Sequence, residues 1–266
     1  MAKRPQRNSS ARRAFRGPAG LRVFPLPEIP EVQPGDDLCE IIAAAARRSG
    51  FRFEHSDILV IAQKAVSKAE GAVIRLATVS PSVKARSIAE KLKKDPRMIE
   101  VVLNESRRIV RSDRVLIVET RHGFVCANAG VDHSNVSGED VVTLLPRDPD
   151  GSARKIAEGL QNRTRKRVAV IISDSFGRPW RLGLTIVAIG AAGVPVLRDL
   201  RGTRDRHGKL LTATVLAVAD ELAGAAGLVM GKSEGFPVIV IRGYRFKPAN
   251  EPASHLIRSP EEDLFR

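Results

Sequence analysis

The strongest constraint on this chain is a run of apolar and β-branched residues, 168–172. It gives way at once to Ser173-Asp174-Ser175-Phe176-Gly177-Arg178-Pro179-Trp180-Arg181-Leu182-Gly183. The run reads as a buried strand, and open α/β sheets bind ligands in the crevice beyond the carboxyl ends of their strands. At that end stand a carboxylate and hydroxyls, then Gly and Pro, two arginines and the only tryptophan. Asp174 and Ser175 offer oxygen ligands for a divalent metal, and arginines suit phosphate or carboxylate. The same residues also suit a strand end, a Gly-Arg-Pro turn and a tryptophan packed in the core. Composition leaves both readings open.

A length of 266 residues allows one large domain or two modest ones, with a real core in either case. No apolar run approaches the length of a membrane span. Cys39 and Cys126 lie far apart, which argues against a disulfide scaffold or a zinc site. Their sparseness fits a reducing cytosol, so a cytoplasmic protein is expected. The net charge of +14 is unevenly spread, because residues 1–22 carry seven Lys/Arg and no acid. That Pro/Ser/Asn/Gly-rich tail is expected to be disordered, and it lacks the apolar segment of a secretory signal. A solvated tail is the plainer reading, with weak polyanion contact as the other. The excess elsewhere suits a protein that handles anionic small molecules.

Several polar clusters follow apolar segments along the chain. After a Pro-rich loop at 25–30, Gly35-Asp36-Asp37 predicts a helix to about Arg48, capped by Asp36 or Asp37. Residues 57–62 read as a strand, and Gln63, Lys64 and Lys68 stand just beyond its end. Helices are expected over 80–92 and 96–103. Residues 105–111 then lead to a strand near 115–119, which forms a hairpin with 124–127 through Arg121-His122-Gly123. Asn128-Ala129-Gly130-Val131-Asp132-His133-Ser134-Asn135 follows it, although Asp and Asn are ordinary turn residues and His133 suits an exposed loop. Further on, a helix is expected over 152–162, a strand over 184–189 and close chain approach at 190–193. A charged turn at 199–205, a helix over 212–226 and a strand over 237–241 complete the order. Gly227-Leu228-Val229-Met230-Gly231-Lys232-Ser233 is one residue short of a P-loop, with helix and strand in the reverse order, and no Rossmann G-x-G-x-x-G is present.

Together these clusters resemble the coenzyme F420-0:L-glutamate ligases, the γ-glutamyl ligases. The matching stretches are 26–29 with 35–37, 63–71, 128–135, 173–183, 199–205, and 230–237 with Arg242-Gly243. Six clusters in family order are more specific than any one of them. The resemblance implies an unusual α/β fold with α+β-like mixed sheets, neither Rossmann nor P-loop, assembled as a homodimer. It implies a ligase domain over 21–247, between a basic tail at 1–20 and a C-terminal tail at 248–266. The flavin-reductase-like second domain of some relatives is expected to be missing. GTP would serve as co-substrate with Mn2+ or Mg2+, and the resemblance also admits K+.

By the same resemblance Asp132 and Asp174 would bind metal, with Ser175, a threonine in many relatives, on a second metal. Leu26, Pro27, Glu28, Ile29, Gln63, Lys64, Lys68 and Asn135 would surround GTP, with Met230, Gly231, Lys232, Ser233, Glu234 and Gly235. Some relatives carry an amide where Lys232 stands, so Lys232 carries over only as a phosphate contact. Asp132, Asp174, Lys68 and Arg178 are the expected catalytic set, and Arg178 or Arg181 would hold the substrate's phosphodiester or the incoming glutamate. The implied reaction joins L-glutamate to the lactyl carboxylate of F420-0 through an acyl phosphate, and repeated γ-linked addition is open. Two other readings stand beside it. One is a related ligase for another small carboxylate, and the other a polyanion-binding protein driven by the basic tail. Neither a membrane nor a nucleic acid is an expected partner.

Overall fold

The computed structural model describes residues 20–133, 140–231 and 235–263. In chain order the first elements are β1 (Arg22–Pro25), α1 (Leu38–Arg48), β2 (Ile58–Ala62), α2 (Gln63–Ala69) and β3 (Val73–Arg75). Next come α3 (Val83–Leu92), α4 (Pro96–Asn104), β4 (Ser106–Ser112), β5 (Leu116–Thr120), β6 (Val125–Ala127) and β7 (Val141–Thr143). The rest are α5 (Pro149–Thr164), β8 (Ala169–Arg178), β9 (Arg181–Ala192), β10 (Arg198–Asp199), β11 (Val215–Leu216), α6 (Val218–Met230) and β12 (Val238–Arg242). The result is a mixed α/β protein built on several separate sheets.

The central sheet has the order β1-β12-β2-β8-β9; β2 and β8 run parallel and the other neighbours antiparallel. Successive side chains on a strand point to opposite faces, so continuous apolar runs here fill two cores. Leu59, Ile61, Val170, Ile172, Val238 and Val240 face the core shared with α1 and α5. Ile58, Val60, Ala169, Ile171, Ile239 and Ile241 face the core that includes α6. At the foot of the sheet Asp57 is fully buried and takes a 2.7 Å bond from the Arg242 guanidinium. Arg242 also reaches Glu54 and the Arg52 carbonyl, and it lies over the Phe24 and Phe51 rings. An arginine so held closes a buried charge that would otherwise be costly.

A second layer is built on β4-β5-β6, with Leu116 and Val118 packed against Ile88, Ile99 and Val102 from α3 and α4. Close approach at Gly190 is real: a Cβ there would lie 2.5 Å from the Pro149 carbonyl carbon. The segment after Lys247 is docked on the body. Asp150 accepts from the N–H groups of both Ala191 and Ala253, Glu251 accepts from Val196, and Ala253 is fully buried.

Five sequence expectations need correction. The strand from 168 does not stop at Ile172. It continues to Arg178, with a register shift after Ile172, because β9 keeps pairing with it past the glycine. The turn falls at Pro179-Trp180, and Trp180 is 78% exposed at the hairpin tip, not core. The helix expected over 212–226 runs over Val218–Met230, because Val215 and Leu216 pair first with Asp199 and Arg198. Where 105–111 was expected as a lead-in, Ser106–Ser112 form β4, and the helix expected from 152 begins at Pro149. Its cap is Asp148, whose carboxylate accepts the Gly151 N–H, and Pro at the first position is preset for a helix. By contrast α1 is capped by Asp37, one of the two residues expected.

Candidate active site

A cleft of about 2410 Å³ opens between the outer half of the β8–β9 hairpin, α2, the β4-β5-β6 sheet and the C-terminal segment. Three chain segments bring its chemistry together. At the end of β2 the chain turns directly into α2, which carries Gln63, Lys64 and Lys68 to the cleft wall. After β6 a short turn with left-handed Asn128 and Ala129 delivers Asp132, whose backbone is pinned to Thr143 in both directions. On β8, Ser173 is still buried, and from Asp174 outward the strand is progressively exposed. Asp174 and Ser175 therefore sit where a fully covered sheet becomes an open ribbon, one residue beyond the shift in register.

The lysines are held by acids. Lys64 Nζ lies 2.7 Å from Asp132 Oδ2, and Lys68 Nζ lies 2.5 Å from Glu31 Oε1. Lys68 is only 9% exposed, so its pairing with Glu31 at the cleft wall is poorly screened by water. Gln63 is buried, and its Oε1 accepts from Ser67. Its Nε2 has no acceptor among the described residues. A buried amide donor left unpaired costs about 1–3 kcal/mol, so a ligand that offers an acceptor oxygen there gains what the free protein lacks. Asp174 Oδ1 accepts its neighbour's N–H from Ser175 at 2.8 Å. Burial, and secondarily the Asp174 charge, push the Cys126 thiol up to about 12.

Among the described residues no three His, Cys, Asp or Glu side chains form a metal-binding group. What the cleft offers instead is two carboxylates and a hydroxyl, Asp132, Asp174 and Ser175. An all-oxygen donor set of this kind fits a hard cation such as Mg2+ or Mn2+.

Most of the residues singled out from sequence meet at this cleft. Ile29, Gln63, Lys64, Lys68, Asp132, Asp174, Ser175, Arg178, Met230, Gly231 and Gly235 all line it. Asn135, Lys232, Ser233 and Glu234 lie outside the described residues. Leu26 is fully buried in the core, and Glu28 turns to Arg48 at 3.1 Å; neither these two nor Pro27 is among the lining residues. Arg178 donates to the Leu182 carbonyl across the hairpin. Sequence reasoning missed Glu31, Lys94, Arg111, Cys126, Arg258 and Asp263, all of which line the cleft. Arg111 was legible only in part, because an arginine in an unrecognised strand carries no sign of which face it takes.

Among the described residues no helix is long and apolar enough to cross a membrane. The sequence profile described as F420-0:Gamma-glutamyl ligase matches residues 27–243. The coenzyme F420:L-glutamate ligase of Methanothermobacter thermautotrophicus is 47% identical over 251 residues, covering 93% of this chain and 99% of that one. That of Methanopyrus kandleri is 48% identical over 254 residues, covering 92% and 98%. A third, from Methanocaldococcus jannaschii, is 44% identical over 243 residues, covering 90% and 94%. A chain that matches this profile over most of its length, with the clusters in the same order, belongs to the F420-0:gamma-glutamyl ligase family.

Proposed function

We propose that the protein is a GTP- and divalent-metal-dependent ligase that joins L-glutamate to the lactyl carboxylate of coenzyme F420-0, within F420 biosynthesis. The observation that carries the reading is the convergence of Lys64, Lys68 and the unpaired Gln63 amide with Asp132, Asp174 and Ser175 on one cleft. Phosphoryl transfer from a nucleoside triphosphate needs that combination of cations and hard oxygen donors. The names of the relatives supply the acceptor and the amine. Residues 227–230 are the last turn of α6 and a strand follows them, the reverse of the strand-to-helix order of a P-loop.

A carboxylate is a poor electrophile. Its oxygen attacks the γ-phosphorus of GTP, GDP leaves, and an acyl phosphate forms. The α-amine of glutamate, having lost its proton, attacks the acyl carbon; phosphate leaves and an amide remains. Asp132, Asp174 and Ser175 would hold the metal, which supplies charge neutralisation on the phosphate oxygens. Lys68 and Lys64 bind phosphate charge once they part from Glu31 and Asp132. Arg178 orients an anionic substrate group at the hairpin. Further glutamates can add by the same steps, because each product presents a new carboxylate. The chain works as a homodimer in the cytoplasm, and the apolar hairpin tip, with Trp180 78% and Leu182 97% exposed, supports such a contact.

The first experiment is calorimetric binding of GTP, ATP and GDP with and without Mn2+, followed by mass-spectrometric detection of glutamate added to F420-0. Guanine-selective, metal-dependent binding and a mass gain of one or more glutamates are expected. No nucleotide binding under any metal condition would overturn the mechanism. Nucleotide binding with glutamate added only to another carboxylate would favour the related-ligase reading.

A further inference from the structure

Among the described residues eleven large apolar side chains are exposed, and six of them line the cleft: Val110, Val115, Val125, Trp180, Leu184 and Leu228. Three of the six lie in or beside the β4-β5-β6 sheet, whose other face is sealed by α3 and α4. Residues directly opposite in antiparallel strands share a face. The register therefore sets Arg111, Ile117 and Ala127 in one row and Arg108, Glu119 and Val125 in the next. Rows two residues apart are separated by about 7 Å. The first row adjoins the turn that delivers Asp132, and the second lies toward Gly123, where the C-terminal segment brings Ile257 and Arg258 to the cleft. Among the described residues Arg111 pairs with Asp113 at 3.5 Å, with both side chains more than 60% exposed. Such a pair is weak and leaves the guanidinium available.

We propose that this sheet face is the binding floor for the planar ring system of the acceptor, and that Arg111 binds its phosphodiester. The proposal rests on the ligase reading above. The acceptor is a planar aromatic ring system joined through an anionic diester to the reacting carboxylate. The cleft presents both parts on one face, with Val110, Val115, Ile117, Val125 and Ala127 as apolar surface and Arg111 among them as the cation. The Arg108–Glu119 ion pair of the Val125 row lies outside the lining. The residues assigned above to nucleotide and metal, Lys64, Lys68, Asp132, Asp174 and Ser175, come from other segments of the cleft lining.

The test is direct binding, followed by deazaflavin fluorescence on the full chain, of F420-0 and of its ring-and-ribityl fragment without the diester. Val125→Glu places a carboxylate against the ring and should weaken both ligands by at least about tenfold. Arg111→Gln removes a charge-assisted bond and should weaken F420-0 about tenfold while leaving the fragment unchanged. GTP affinity should stay within about twofold of wild type in both variants, since the lysines are untouched. Equal acceptor binding in wild type and variants, while wild-type turnover persists, overturns the subsite alone. A parallel loss of GTP affinity, or a changed oligomeric state in Val125→Glu, would assign the face to folding or to a contact between copies and likewise overturn it. Wild-type protein that binds GTP but neither acceptor overturns the ligase reading as well.

Discussion

The five-stranded and three-stranded sheets of this protein use similar residues to opposite ends. In the first, both faces of β2, β8 and β12 are covered, and Ile58, Ile171 and Ile239 are fully buried. In the second, one face carries the buried Leu116 and Val118, and the other leaves Val125 and Val110 open to the cleft. The doubly covered sheet fixes positions, and the singly covered one presents a surface. β8 contains the same contrast within one strand, buried from Ala169 to Ser173 and opening from Asp174 outward. A half-exposed strand anchored in a rigid one can hold catalytic oxygens without adding their desolvation to the cost of folding.

The contrast can be broken most sharply at the boundary on β8. Asp174→Asn should lower glutamate ligation on the order of a thousandfold, the scale of several kcal/mol of lost charge stabilisation, with the melting temperature unchanged. Near-normal turnover in that variant would remove Asp174 from the metal site. At the foot of the central sheet, Arg242→Met strands the buried Asp57 carboxylate and should cost about 3–5 kcal/mol in urea unfolding. A loss below about 1 kcal/mol would mean that water reaches Asp57 after all.

The two sheets can then be compared residue by residue. Ile171→Ala, in the doubly covered sheet, should cost about 2–5 kcal/mol. Val125→Ala, on the open face, should stay within about 0.5 kcal/mol of wild type. Similar losses at both positions would erase the distinction. The smallest effect concerns the thiols. Burial raises Cys39 to about 11 and Cys126 to about 12, so thiolate is scarce at neutral pH and grows only as pH climbs toward those values. Disulfide-reagent titration at pH 8 should find both cysteines slow. Rapid modification of Cys126 would show that the cleft wall opens there.

The central strands, α1 with its Asp37 cap, and the clusters around Lys64, Asp132 and Asp174 were legible because local signals agree there. Apolar runs, Asx caps and polar residues after a strand are all encoded within a few positions. The β4 strand was not legible, since Ser-Arg-Arg-Ile-Val-Arg-Ser has no alternation of its own and is a strand only because β5 pairs with it. The same holds for the outer half of β8, where Gly177 and Pro179 read as breakers although β9 carries the ladder past the glycine. Leu26 shows the converse case. It falls in a motif cluster, yet its backbone N–H bonds the Val238 carbonyl and its side chain fills the core.

By itself the sequence determined the family, the mixed α/β character and the residue types of the site, because these are properties of composition, order and local pattern. The tertiary structure alone decided which acid holds which lysine, that residues beyond 247 wall the cleft, and that one sheet is left open on a face. Those outcomes depend on contacts between residues far apart in the chain, such as Lys68 with Glu31 and Ala253 with Asp150. Distant pairing is set by how the packed layers meet, which no local window of sequence contains.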